Sequence, residues 1–438
     1  MIELGLKKLN QRKFLESLSI FKKINSIKPN DGNVLFCLGN IYYELNDLDK
    51  SIKFYEKALR CYPDSESIIN NYAIALQSSG NFKKAIKLFG NLINKRPNNI
   101  KPFFRLFRID QNTFFKNNYK YIDRKDIINN LEPEEKSLFY FIKSKYEKNK
   151  NNFDREIDFL NQAHEFYSKK NMKRSTYYTE FLKKNYDKFL LKKSNKIQEK
   201  NNINPIFIIG LPRSGSTLIE SLISQNNENI YSYGETSIID FSVISQVKKI
   251  LADNKPTKKK VNIEINQDLL RESINNIYNY SNKNSFIDKS LENFFYIDLI
   301  LNIFPNAKFI HTFRDKYEAA IAIYQSMLIY LPWAHSIKDI IKYIINYENI
   351  INYFKIKYPE NILDVKLEDF TSYTREKTEI IFNFCNLKQD GNTIDFFNSR
   401  KLKSKSSSFE QIRNKIVKTK LDKYKPYYHL IKNEKFKF

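Results

Sequence analysis

Pro29, Pro63 and Pro97 stand 34 residues apart, and this spacing constrains the chain more than any other feature of its 438 residues. The same register carries Phe21, Tyr55 and Phe89, then Ser17, Ser51 and Ala85, then Gly5, Gly39 and Ala73. Four columns in one register define a structural unit repeated in tandem. Small residues let two helices cross closely and an aromatic fills the space between them. Proline ends the second helix, since it offers no amide hydrogen and clashes with the preceding turn. Residues 1–125 therefore read as a short array of helix pairs. Residues 126–190 keep a helical pattern, with Tyr140, Tyr146, Phe153 and Ala163 at partly repeat-like places but in no clean register. The polar stretch from Lys192 to Asn204, ending at Pro205, reads as a linker, so 126–202 is taken as a helical bridge with its linker.

Beyond Pro205 the pattern changes. Of the nine glycines, Gly210, Gly215 and Gly234 fall within one span of 25 residues. Ile206, Phe207, Ile208 and Ile209 form a short continuous apolar run, as in a parallel strand buried on both faces. A loop from Leu211 to Thr217 follows, then a segment of helical character from Leu218 to Ile223. Strand, glycine loop and helix together present backbone N–H groups and a positive helix end to an anion. Gly210 and Gly215 are spaced as in the loop of nucleoside triphosphatases, but Ser216 stands where those carry lysine. That argues against metal-assisted chemistry on a triphosphate. A cation, Arg213, sits inside the loop instead.

Composition excludes several classes. Hydrophobic residues make up 42% and aromatics 15%, enough for packed cores. The net charge of +25 would suit a polyanion. However, Lys, Asn and Ile are abundant from end to end, and no basic stretch interleaves arginine with aromatics as a nucleic-acid module does. No nucleic-acid partner is expected, and Lys258, Lys259 and Lys260 read as a solvated loop. Cys37, Cys61 and Cys385 each lie in an apolar helical pattern, none at metal-ligand spacing, and read as reduced core residues. No basic, apolar, small-residue progression opens the sequence, and no run of about 18 apolar residues occurs, so a cytoplasmic protein with no transmembrane segment is expected.

The string Pro212-Arg213-Ser214-Gly215-Ser216-Thr217 between strand and helix resembles the 5′-phosphosulfate loop of sulfotransferases that use 3′-phosphoadenosine 5′-phosphosulfate (PAPS). The similarity is to the branch containing protein-tyrosine sulfotransferases and bacterial proteins with N-terminal tetratricopeptide repeats, whose unit is 34 residues long. Tyr233-Gly234-Glu235-Thr236 falls where that branch carries a glycine-glutamate pair. Asp288-Lys289-Ser290, with Asn293-Phe294 and the helix up to Phe304-Pro305-Asn306-Ala307, resembles its Asp-Lys segment. Lys308 to Asp315 resembles the strand and Arg-Asp turn that meet the 3′-phosphate. Leu367-Glu368-Asp369-Phe370, with the helix through Phe384 to Leu387, matches a later landmark, and Ser408 to Arg413 the late segment that folds over the nucleotide. The resemblance covers nearly the whole chain. It implies an α-helical repeat array followed by an α/β domain over 203–438, a parallel sheet with a P-loop-like sulfotransferase fold. Ile206–Ile209 and Phe309–Thr312 are expected side by side in that sheet.

The implied reaction moves a sulfuryl group from PAPS to an acceptor hydroxyl on a peptide, a glycan or a small molecule, without a metal. Glu235 is the implied base. Arg213 and Lys289 would stabilise the charge growing on the departing phosphate, with Ser408 beside them. Ser214, Gly215, Ser216 and Thr217 would hold the 5′-phosphate, Arg314 the 3′-phosphate, and Arg413 the nucleotide. Two departures stand out: Ala322 replaces a serine that the family presents to the 3′-phosphate, with Ser326 one turn on to serve instead, and Leu367 replaces a tyrosine. His311, in an apolar strand, reads as a core histidine, while Trp333 and His335 are open to acceptor contacts. The repeat groove would take an extended protein partner. Two other readings stay open: a non-catalytic repeat scaffold with a degenerate nucleotide domain, and an atypical phosphate-loop kinase, which would need a loop lysine and an acidic metal ligand.

Overall fold

The small residues of the repeat face aromatic rings. A Cβ on Gly5 would lie 2.7 Å from the Phe21 ring, and one on Gly39 would lie 2.6 Å from the Tyr55 ring. Ser17 and Ser51 donate to the Gly5 and Gly39 carbonyls, each at 2.9 Å. The helices are α1 (Ile2–Asn10), α2 (Phe14–Ile27), α3 (Gly32–Glu44), α4 (Leu48–Cys61), α5 (Glu66–Ser79), α6 (Phe82–Lys95), α7 (Ile100–Ile109) and α8 (Gln111–Ile122). Pro29, Pro63 and Pro97 each follow just after the end of a second helix, at α2, α4 and α6. Asp31 caps α3 by accepting from the N–H groups of Asn33 and Val34 at 3.0 and 3.2 Å, which satisfies donors that have no partner within the helix.

The computed structural model describes residues 1–122, 128–176, 180–192, 203–253, 263–281, 283–388, 405 and 423–432. The chain groups into two compact units, one of Met1–Cys61, Leu182–Arg314 and Tyr347–Thr419, the other of Tyr62–Phe181, Asp315–Asn346 and Lys420–Phe438.

The first unit holds α1 to α4 and the strands β1 (Phe189–Lys192), β2 (Ile206–Gly210), β3 (Ile230–Ser232), β4 (Ile263–Asn266), β5 (Ser285–Asp288), β6 (Lys308–Phe313) and β7 (Ile362–Lys366). Five of them form one sheet in the order β3-β5-β2-β6-β7, with every pairing parallel. Phe207 pairs with Phe309 and Gly210 with Thr312, so the two apolar runs lie side by side as the sequence predicts. Alternate strand residues feed opposite faces. Ile206, Ile208, Ile287, Ile310 and Val365 pack with Ile219, Leu222, Phe370 and Phe382 on one face. On the other, Phe207 meets Phe286, Phe304 and Phe309. The fold class is a repeat array followed by an α/β domain with a parallel sheet. β1 and β4 form a separate parallel pair that sequence patterning did not reveal.

The second unit holds α5 to α8, the paired helices Pro133–Asn149 and Phe153–Thr176, and the helix Lys316–Tyr324. Glu156, fully buried, is met by Lys145 and Lys148 at 3.5 Å each and by the Tyr427 hydroxyl. Trp333 stacks on Tyr343 with ring centroids 3.6 Å apart, and His335 meets the Nδ1 of His164 at 3.0 Å. Both are buried. The two side chains read as open to acceptor contacts thus face protein, because the turn that carries them packs inward. The three cysteines are free; Cys37 and Cys385 are half-buried, but Cys61, expected in the core, is exposed at the end of α4.

Candidate active site

Because the five strands are parallel, their carboxyl ends share one edge of the sheet, and the loops leaving them converge there. Gly210 ends β2 at φ +139°, and a Cβ there would lie 2.1 Å from the Thr312 carbonyl oxygen, so no side chain fits. Arg213, with φ +68°, takes a left-handed conformation that a non-glycine residue adopts at a cost. Gly215 follows at φ +87° and caps the helix Ser216–Gln225. The amides of Leu218 and Ile219 already bond the Gly215 carbonyl, at 2.9 and 3.1 Å, which starts the helix. Its first N–H groups have no carbonyl partner within the helix, and they lie at its positive end. Ser214 is buried, and its hydroxyl finds no hydrogen-bond partner among the described residues. A buried, unmatched hydroxyl beside a helix N-terminus fits an anion such as a 5′-phosphate.

Arg314 leaves the end of β6 and donates from Nη1 to the Arg213 carbonyl at 3.4 Å, while its Nε lies 3.7 Å from Glu368. Its side chain is almost wholly buried. Leu367, just after β7, sits against the loop: a Cβ on Gly215 would come within 2.7 Å of it.

β3 leads through Tyr233 and Gly234, at φ +69°, to Glu235. The Lys289 ammonium donates to the Glu235 carboxylate and lies 3.6 Å from Glu220, one turn into the loop helix. Lys289 also donates its backbone N–H to the Gly234 carbonyl at 2.9 Å. Its side chain is 1% exposed, whereas that of Glu235 is 51% exposed, so the carboxylate opens to solvent over a buried cation. Burial alone would lower the Lys289 pKa, but Glu235 and Glu220 oppose it and leave the value above that of an ordinary lysine. Burial raises the Glu220 pKa, while Lys289 and the Ser232 hydroxyl at 2.6 Å pull it the other way. Behind them Asp288, fully buried, accepts from Thr236 at 2.5 Å, the Ser290 N–H at 2.7 Å, Asn293 at 3.1 Å and the Tyr278 hydroxyl. One carboxylate thus ties the Glu235 turn to the Lys289 turn.

The structure brings Arg213, Ser214, Gly215, Ser216, Thr217 and Arg314 to one loop, and Glu235 to Lys289. Ser326 lies in the second unit, where its hydroxyl donates to the Ala322 carbonyl at 2.6 Å. Ser408 and Arg413 lie outside the described residues, as do Lys258 to Lys260. Sequence reasoning missed Glu220 and did not name Glu368 as a partner of Arg314. A lone carboxylate within the apolar run from Leu218 to Ile223 was the available signal for Glu220. His311 is a buried strand residue, bonded to Asp364 at 2.7 Å and to the Tyr347 hydroxyl. Burial, only partly countered by Asp364, lowers its pKa.

Residues 205–391 match the model of the sulfotransferase family, and residues 32–65 and 54–87 match tetratricopeptide-repeat models. The chain therefore carries a sulfotransferase-family domain preceded by tetratricopeptide repeats. An uncharacterized protein of Aquifex aeolicus (strain VF5) is 24% identical over 234 residues, covering 51% of this chain and 30% of that protein. The peroxisomal targeting signal receptor of Saccharomyces cerevisiae is 28% identical over 82 residues, 19% of this chain and 13% of the receptor. The chain thus spans less than a third of the length of these curated relatives. Among solved structures, the sulfotransferase domain from the curacin biosynthetic pathway is 17% identical, with a TM-score of 0.35 over 49% of this chain and 88% of that one. A sulfotransferase from Mycobacterium avium is 12% identical, with a TM-score of 0.32 over 44% and 66%. Among the described residues no helix is long and apolar enough to cross a membrane, and no group of three or more side chains is set to hold a metal.

Proposed function

We propose that this chain transfers a sulfuryl group from PAPS to an acceptor hydroxyl, with Glu235 as the base. The observation that carries the reading is the contact of Lys289 with both Glu235 and Glu220, the latter on the helix that begins at the glycine loop. A carboxylate open to solvent and a buried cation stand together beside an anion-binding helix end. The acceptor hydroxyl gives its proton to Glu235, and its oxygen attacks sulfur. The bond from sulfur to the bridging phosphate oxygen breaks, and 3′-phosphoadenosine 5′-phosphate leaves with the electron pair. Arg213 and Lys289 stabilise the charge that develops there, an effect strongest where water is excluded. Loop donors from Ser214 to Thr217 hold the 5′-phosphate, and Arg314 is assigned to the 3′-phosphate.

The segments 1–125, 126–202 and 203–438 are proposed as repeat array, bridge and catalytic domain. The array is proposed to present a protein acceptor, and the free cysteines support work in a reducing compartment such as the cytoplasm. Labelled PAPS supplied to the protein with fractionated cell extract tests the reading, the labelled product being identified by mass. The account expects one labelled acceptor class and release of 3′-phosphoadenosine 5′-phosphate. No labelling, together with no thermal shift by that nucleotide, would overturn it.

A further inference from the structure

Three turns of the repeat array share one backbone shape. Arg12, Asn46 and Gly80 stand 34 residues apart, each joins the two helices of a pair, and each has positive φ, at 57°, 62° and 87°. The hydrogen bonding is the same in all three. The residue after each donates back five positions: Lys13 to the Lys8 carbonyl at 2.9 Å, Asp47 to Tyr42 at 2.9 Å and Asn81 to Leu76 at 2.8 Å. This helix-ending turn favours glycine, and a residue with a Cβ is sterically disfavoured in the left-handed region, asparagine less so. Only the third turn carries glycine. Arginine and asparagine stand in the first two, where their side chains have partners.

Both partners flank Glu235. Arg12 donates from Nη1 to the Thr236 carbonyl at 2.8 Å, its guanidinium 5.1 Å from the centre of the Phe241 ring. Asn46 donates from Nδ2 to the Ser232 carbonyl at 2.8 Å and stands over Gly234, where a Cβ would lie 3.8 Å from that same nitrogen. The five residues from Ser232 to Thr236 are thus held at both ends by repeat turns. From the sheet side, the Tyr233 amide bonds the Ile287 carbonyl at 2.9 Å and the Gly234 carbonyl accepts from Lys289. The Lys289 ammonium meets the half-exposed Glu235 carboxylate itself, while the turn that carries it, with left-handed residues at Gly234 and Ser237, is anchored at its two ends by the repeat side chains.

We infer that Arg12 and Asn46 are positioning residues for Glu235, so that the repeat array completes the geometry of the catalytic base. This rests on the reading of Glu235 as the base. The test uses the full chain and the acceptor fraction that it labels from PAPS. Asn46→Gly and Arg12→Gly keep the left-handed turn and remove only the side chain. Each is expected to lower kcat about tenfold while leaving the KM for PAPS and the affinity for 3′-phosphoadenosine 5′-phosphate unchanged. Combined with Glu235→Ala, neither should lower kcat further, since residues that act through one group do not add. Arg12→Lys, which keeps a shorter cation, should recover part of the loss. The inference falls if either glycine variant keeps wild-type kcat, or if it lowers kcat by the same factor in the Glu235→Ala background. Should Arg12→Gly not fold, as judged by its melting curve, Asn46→Gly decides the question. Full activity in Glu235→Ala alone would instead remove the base assignment on which the inference stands.

Discussion

Burial, then the nearby carboxylates Asp240 and Glu235, raise the Glu292 carboxyl from 4.5 to about 7. The native state therefore keeps a proton that the unfolded chain loses between those values. Stability from this group is full below about pH 4.5 and is lost as pH rises to about 7. Glu292→Gln should flatten the melting temperature across that window, and an unchanged slope would assign the effect elsewhere. At the same scale, Arg213, Glu235 and Lys289 stand out in the sequence because each sits in a short motif that carries the family resemblance. Glu220 does not, since a single glutamate in a helix usually faces water and only the sheet packed on that helix buries it. Arg12 and Asn46 were equally hidden, because a turn residue shows its left-handed backbone only once the turn is built.

Among elements, the join of β2 to its loop is the most sharply determined. Gly210→Ala would place a methyl against the Thr312 carbonyl, at an expected cost of at least about 1–3 kcal/mol for the backbone alone. Thermal denaturation should show a clear fall in melting temperature; a wild-type value would mean that β2 and β6 do not approach so closely. The adjacency of those strands was legible because both are continuous apolar runs followed by a turn suited to phosphate. The β1 and β4 pair was not, since four-residue strands give almost no periodic signal. Trp333 and His335 were left open to acceptor contacts for a related reason: the sequence places them after a helix, but tertiary packing decides which way a turn faces.

Over the whole molecule, linear segments and compact units are different descriptions. Boundaries at 125 and 202 follow composition along the chain, whereas contacts group α1 to α4 with the parallel sheet and the helices of 62–181 with residues 315–346. No linear pattern expresses a unit assembled from three separated stretches. Within the first unit Lys13 pairs with Glu272 at 2.5 Å and the Tyr231 hydroxyl donates to the Leu45 carbonyl at 2.9 Å, so the first repeats and the α/β elements share one folded body. The chemistry proposed for that body needs no metal, because Arg213 and Lys289 carry the charge. Turnover by the full chain should survive EDTA, and loss on chelation with recovery on adding magnesium would point to a phosphate-loop enzyme of another kind.

Calorimetric titration with 3′-phosphoadenosine 5′-phosphate tests the central claim most directly, because it reads the donor site without knowledge of the acceptor. The wild-type chain should bind one equivalent. Glu235→Ala should bind nearly as well, although its turnover falls about 10²–10⁴-fold, the usual contribution of a general base. Arg314→Ala should bind far more weakly, having lost a charge-assisted phosphate contact. Absence of binding by the wild-type chain, or equal loss of affinity in both variants, would contradict the account.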